Sequence, residues 1–223
     1  LFLEFAFKLI SKLKLEINNN FDNDKLQKIQ ILHFLKQRPW NFVKVSEIAF
    51  YKNGSIFLKS ENDSDKVEIS GFKINANSRE VNSWSQPLLI IPPKIINLIY
   101  EKSNKNIKFL LSKNCSPGTI NEFELLPTSI TSLSKSNCGD KFESIINTKL
   151  VHHSWQNDEG GRFWRRKNLY RIFTSDKLDE IKIVDDYLVL NLSEIIYLYK
   201  NSFTISIELR SILFVFFAHL LSE

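Results

Sequence analysis

Apolar residues recur at helical spacing at the two ends of the chain and in short strand-like runs between them. Leu3, Phe7, Ile10 and Leu13 fall on one face of a predicted amphipathic helix over residues 1–17. Residues 18–24 form a polar break. A second helix is predicted over residues 25–36, with Leu26, Ile29 and Leu32 on one face. Arg38-Pro39 ends it, because proline disfavours helix in the residue before it. From Trp40 the character changes to the β-branched and aromatic runs VKVSEIAFY, SIFLKS, KVEIS and FKIN, separated by Asn53-Gly54 and Asn62-Asp63. Asn-Gly between such runs is a hairpin signal, so this region predicts a meander of antiparallel strands.

In the second half, Ile95 to Tyr100 is short and apolar and fits a helix end or a strand, and Ile107 to Ser112 reads as a strand. Residues 113–140 are rich in Ser, Thr, Asn and Pro with little regular pattern. Structureless segments of that length are uncommon in compact domains and are usually functional or disordered; we read this one as functional. Strands are predicted again over 149–156 and 162–173. Val184 to Leu190 leads to Ser193, a predicted N-cap for a helix over 194–200, and Ser206 is the predicted cap of a final helix over 207–221. Its apolar run, SILFVFFAHLL, spans 11 residues, well short of the roughly 20 that cross a bilayer, so it predicts a buried or interface helix and no membrane span. Helices, strands, a long loop, strands and helices in that order predict an α+β fold with a mixed or mostly antiparallel sheet.

Composition narrows the chemistry. The chain has 223 residues, 43% hydrophobic and 25% charged, enough for a core that needs no disulfide or metal. Its net charge of +5 suits an anionic small ligand. The one tight basic cluster, Arg162 with Arg165, Arg166 and Lys167, is not the stripe expected of a nucleic-acid binder. Cys115 and Cys138 form no CxxC motif, which excludes the common metal and redox signatures, and two unpaired thiols fit a reducing, cytoplasmic setting. The apolar start of the chain is interrupted by Glu4 and Lys8 and does not read as a signal peptide. A chain that begins at Leu1 and holds no methionine is expected to lack its natural start.

Four segments in order carry a resemblance. They are REVNSWSQPL (79–88), with Trp84, Gln86 and Pro87; CSPGTINEFELLPT (115–128), with Pro117-Gly118 and Leu126-Pro127-Thr128; NDEGGRFWRRKNLYRI (157–172), with Glu159-Gly160-Gly161-Arg162-Phe163 and Tyr170; and DDYLVLNLSE (185–194), continuing to IELRSIL (207–213). Together they resemble one module of the NDP-hexose 2,3-dehydratase family. The resemblance implies a Nudix-like α/β/α module with a mixed, largely antiparallel sheet. It would span 39–223, behind an N-terminal helical segment over 1–38, as one domain. It also implies tandem modules or homodimers and a nucleoside-diphosphate 4-keto-6-deoxyhexose as substrate, commonly dTDP-linked. The implied reaction is loss of water across C2 and C3 during deoxysugar synthesis, with no metal or redox cofactor. The Glu-rich metal-binding helix of Nudix hydrolases is not found, so phosphate hydrolysis is not expected.

That chemistry needs an acid and a base within hydrogen-bond reach, donors toward the C4 oxygen, and cations or N–H groups for the diphosphate. Glu159 is the acid–base candidate, beside Gly160 and Gly161, which let backbone approach a ligand. Arg162 is the diphosphate candidate. Trp84, Phe163 and Tyr170 are candidates for stacking, though aromatics on strands are more often core. Pro117 and Gly118 belong to the loop motif, and Gln86, Asn121 and Thr128 are candidate donors to sugar or base oxygens; the alternative is turn structure. His152 and His153 point to opposite strand faces and cannot act as a pair. The family pattern is broken at Ser116, where a glutamate is usual. After Thr128, Ser129-Ile130 stands where Val-Gln is usual, and Asn137-Cys138 stands for an Asn-Tyr pair. The departures leave three readings open: a piece of a two-module enzyme, a self-pairing module, or a module that binds sugar nucleotide without catalysis.

Overall fold

The computed structural model describes residues 49–52, 55–58, 67–75, 83–103, 106–114, 124–133, 147–158, 162–178, 187–201 and 204–222, with the isolated residues Glu4, Lys8, Ser11 and Lys12. Those four are helical, in line with the predicted N-terminal helix. The second predicted helix, over residues 25–36, lies outside the described residues.

The predicted meander forms β1 (Ala49–Lys52), β2 (Ser55–Leu58) and β3 (Val67–Asn75), which joins the KVEIS and FKIN runs in one strand, and β4 (Ser83–Ile90), not among the predicted runs, completes a four-stranded antiparallel sheet in sequential order. Residues 91–93 lead into a larger sheet of β5 (Lys94–Lys102), β6 (Ile107–Asn114), β7 (Glu124–Leu126), β8 (Ser129–Ser132), β9 (Lys149–Asn157), β10 (Lys167–Thr174) and β11 (Tyr187–Asn191). Its main path is β11-β6-β5-β10-β9; β10 runs parallel to β5, and every other described strand pair is antiparallel. Two helices complete the described residues, α1 (Leu192–Asn201) and α2 (Ile207–Ser222). The fold is therefore α+β with a mixed, largely antiparallel sheet, as the order of elements predicts.

Both helices pack on one face of the large sheet. Ile96, Leu98 and Tyr100 of β5, Phe109 and Leu111 of β6, Ile172 of β10 and Leu190 of β11 meet Ile195 and Leu198 of α1 and six buried residues of α2. The predicted final helix is thus a buried one, and no described helix is long and apolar enough to cross a membrane. Ser206 caps it as expected, accepting the Leu209 N–H at 3.1 Å. At α1 the cap is Asn191 rather than Ser193. Asn191 Oδ1 accepts the Glu194 N–H at 2.9 Å, and Glu194 returns a carboxylate oxygen to the Asn191 N–H at 2.7 Å. That reciprocal pair satisfies two N–H groups at once, which is more than a lone serine offers.

The segment expected to lack regular structure contains two strands. β5 and β6 pair from Ile99 and Leu110 to Lys102 and Ile107 and then separate. Into the fork go β7, which continues the ladder on β6, and β8, which continues it on β5. Runs of three and four residues give too little alternation to be read from sequence. Thr128 sits at the fork, fully buried, where its hydroxyl accepts the Ile99 N–H at 2.9 Å and donates to the Leu110 carbonyl at 2.5 Å. One side chain thus satisfies both the Ile99 N–H and the Leu110 carbonyl where the strands begin to part. Thr128→Val keeps the shape and strands both backbone groups, each costing about 1–3 kcal/mol when buried. A drop in urea midpoint for Thr128→Val, with recovery in Thr128→Ser, is the expected result.

Candidate active site

Two of the four sequence motifs come together at the seam between the sheets. β9 and β10 form a hairpin whose neck is closed by Asp158 and Arg166. The Asp158 N–H donates to the Arg166 carbonyl at 2.9 Å, and the Arg166 guanidinium meets the Asp158 carboxylate at 3.0 Å. Asn168, 4% exposed, donates to the same carboxylate at 3.2 Å and accepts the Lys94 N–H at 3.1 Å, which ties the neck to the start of β5. Beyond the neck, residues 162–164 add to the outer edge of β4. Leu89 donates its N–H to the Arg162 carbonyl at 2.8 Å and accepts the Trp164 N–H at 2.9 Å. Pro87, which has no N–H to give, is tolerated on β4 because among the described residues nothing pairs at that position on the outer edge. Arg165 takes a left-handed φ of 50°, and that turns the chain from the bridge back into β10.

Aromatic side chains reinforce the seam. Phe72 of β3, the register partner of Gln86, stacks on Trp164 with ring centroids 4.6 Å apart. Trp84 donates its indole N–H to Gln86 at 2.8 Å. Their side chains share one face of β4, two residues apart. Arg165 lies over Trp164, and Arg166 and Arg162 lie against Phe163 at 4.8 and 5.7 Å. Trp84 and Gln86 thus share the face of β4 on which Phe72 meets Trp164, whereas Phe163, the bridge partner of Leu89, lies half-buried on the other face and Arg162 is exposed. Glu159, Gly160 and Gly161 lie outside the described residues; Asp158 and Arg162 flank them. Pro117, Gly118 and Asn121, like Cys115 and Cys138, also lie outside them.

Two other candidates stand apart from the hairpin. Thr128 is committed to the sheet fork by both hydrogen bonds and has no exposed surface. Tyr170 belongs to the core beneath α2, 6% exposed. Burial holds its phenol above the ordinary range, assisted by the charges of Asp158 and Glu208, while hydrogen bonds to Ser211 and Asn168 work against that. Its ring is packed on the helix side rather than offered to a ligand. Tyr170 thus packs as core, the alternative already weighed for it, while the Thr128 hydroxyl is taken up by the sheet fork rather than by a turn.

His152 and His153 do point to opposite faces. His152 stacks on His219 of α2 at 4.9 Å, and burial, then the neighbouring His219 and His153, pull it below its ordinary pKa. His153 is exposed on the other face, in register with Arg171 and, across β10, with Asn97. Sequence reading passed over Asn97, which lies in no distinctive motif, and Arg171, which lies within the 157–172 motif but was not singled out there. Arg171 Nε donates to Asn97 at 2.8 Å, and Asn97 donates to Ser129 at 2.8 Å. Among the described residues no group of three or more His, Cys, Asp or Glu side chains is placed to hold a metal ion. A cavity of about 430 Å³ opens at the far end of β5 and β10, beside Glu101, Lys149 and Asp176, and holds none of the motif residues.

Comparisons with known proteins bear on this seam. A curated dTDP-4-dehydro-6-deoxy-alpha-D-glucopyranose 2,3-dehydratase of Streptomyces violaceoruber is 24% identical over 153 residues, which is 65% of this chain and 34% of that protein. The chain therefore spans about a third of the length of that relative. Two solved structures align at low similarity. A C. elegans Ap4A hydrolase matches at TM-score 0.40 and 16% identity, over 58% of this chain and 98% of that one. An ADP compounds hydrolase matches at TM-score 0.42 and 11% identity, over 78% of this chain and 97% of that one. Those scores are too low for an argument from fold. The family model described as NDP-hexose 2,3-dehydratase matches residues 30–216, which take in all four motifs and nearly every described element, and the chain belongs to that family.

Proposed function

We propose that this chain is a sugar-nucleotide 2,3-dehydratase module. It acts on a nucleoside-diphosphate 4-keto-6-deoxyhexose and yields a 3,4-diketo-2,6-dideoxy sugar. The observation that carries the reading is the docking of the Arg162–Trp164 segment on β4. It brings Arg162 and Phe163 of the EGGRF motif to the strand that carries the WSQP motif, 78 positions earlier at Trp84. The curated relative's printed name supports the thymidine nucleotide as carrier.

The ketone at C4 acidifies the C3 proton. Glu159 is the group proposed to remove it, and the electron pair passes to the C4 oxygen as an enolate. Arg162, in the same loop, offers that oxygen a cation where charge develops. The enolate then expels the C2 hydroxyl, which leaves as water once an acid has protonated it. The resulting C2–C3 enol takes a proton at C2 and becomes the 3,4-diketone. Trp84 and Gln86, which share one face of β4, are proposed to hold the sugar. The chain would work as a homodimer or beside a second module, in a cytoplasmic setting.

The test is to incubate the purified chain with dTDP-4-keto-6-deoxyglucose and follow the nucleotide sugar by mass spectrometry. Loss of one water is expected. An unchanged sugar whose resonances nevertheless broaden on binding would favour the binding-module reading, which the substitutions at Ser116, Ser129 and Ile130 support.

A further inference from the structure

The geometry points to a diphosphate site on the face of the large sheet opposite α1 and α2, built from the row Ser129, Asn97, Arg171 and His153, with Arg171 as its cation. It rests on the nucleotide-sugar reading above and says where the anionic part of that ligand lies. The four residues are register partners on four adjacent strands, β8, β5, β10 and β9, so their side chains form one line across the sheet. The neighbouring positions on the same face are largely apolar. Ile95 and Leu169 lie on one side of the row, Ile99 and Phe173 on the other.

The row is held together by its own hydrogen bonds. Asn97 is 5% exposed, spends its amide N–H on Ser129, and turns its oxygen to Arg171 Nε. The guanidinium is further braced by the Phe173 ring at 5.4 Å. Among the described residues no carboxylate pairs with it. The acidic group nearest along β5 on that face, Glu101, is four positions from Asn97 and already accepts the Leu178 N–H at 2.8 Å. A half-buried guanidinium fixed through Nε by a neutral amide keeps its two terminal nitrogens for an anion, in the fork geometry that suits phosphate. Beside the row, the Thr131 hydroxyl is buried without a hydrogen-bond partner, a second polar atom on that face that a ligand could satisfy.

The same face continues toward the hairpin loop. Trp155, 45% exposed, lies two positions from His153 in that direction, with the Lys167 ammonium 4.8 Å from its ring centre. A sugar carried by a phosphate at Arg171 would therefore cross Trp155 on its way to the hairpin neck at Asp158. Arg162 has less to support it as the diphosphate cation, being exposed on the turn and lying against Phe163.

Thymidine diphosphate, which lacks the sugar, is the probe, and calorimetric titration of the chain is the readout. The wild-type protein is expected to bind it, and Arg171→Gln, whose amide can still reach Asn97, to bind at least about tenfold more weakly. Asn97→Asp is the second variant. It leaves Arg171 in place but sets a carboxylate against it, and it should weaken binding by a similar factor. Absence of binding by the wild-type chain, or wild-type affinity in a folded Arg171→Gln or Asn97→Asp variant, overturns the assignment. The dehydration assay decides the other question separately. Nucleotide binding that depends on Arg171 without loss of water from the sugar would leave this site standing and defeat the dehydratase reading.

Discussion

Exchanging Glu159 for glutamine is expected to lower dehydration about 10²–10⁴-fold, the range that a positioned acid–base group supplies. Glutamine matches glutamate in size and can still accept a hydrogen bond, but it cannot take a proton from C3. If Arg171 anchors the diphosphate, affinity for thymidine diphosphate should stay at the wild-type value, so the loss falls on turnover rather than on binding. Asp158, the adjacent carboxylate, serves as the contrast. It is ion-paired to Arg166 and bonded by Asn168, so Asp158→Asn should loosen the hairpin neck and lower stability and activity together. Unchanged turnover in Glu159→Gln would remove the proton-abstracting role from the EGG loop.

Phe216→Ala should be the most damaging substitution for the fold among the described side chains discussed here. Phe216 has no exposed surface and meets Tyr100 and Phe109 edge-on, with centroids 4.8 and 5.1 Å away. It lies between α2 and the centre of the sheet, where β5 and β6 are pinned together. Truncation there removes a large apolar side chain and leaves a cavity between rigid layers, for a loss of about 3–5 kcal/mol. That is a large fraction of the stability of a typical domain, about 5–15 kcal/mol. Ile207→Ala, at the 68% exposed start of the same helix, should change stability by only about 0.5 kcal/mol. Thermal and urea unfolding of the two variants would check the contrast.

What could be read from the chain and what could not divide along physical lines. The meander of β1 to β3 was legible because alternating runs are punctuated by Asn53-Gly54. The burial of α2 was legible because SILFVFFAHLL is apolar on every side. β7 and β8 were not, since strands of three and four residues carry no periodicity and take their place only from the fork that β5 and β6 leave. The cap of α1 was misread by two positions because Asn191 and Ser193 are both good caps, and the reciprocal bond from Glu194 decides between them.

The candidate site divides in the same way. Motif resemblance drew attention to Trp84, Gln86, Arg162 and Phe163, and chain pairing at Leu89 brings the two segments that carry them side by side. It drew equal attention to Thr128 and Tyr170, whose side chains serve the sheet fork and the core, because a motif records a residue's presence and not its reason. That Arg171, Asn97 and Ser129 belong together could not be found in that way. They lie 32 and 74 residues apart in pairs, and only strand register puts them in one row.

The most direct test of the dehydratase reading is NMR of dTDP-4-keto-6-deoxyglucose with the purified chain in deuterated buffer. The account predicts loss of the C2 hydroxyl and entry of one solvent deuteron at C2, as the C2–C3 enol is protonated from the medium. A sugar that keeps its C2 hydroxyl and its C3 proton after prolonged incubation would contradict it.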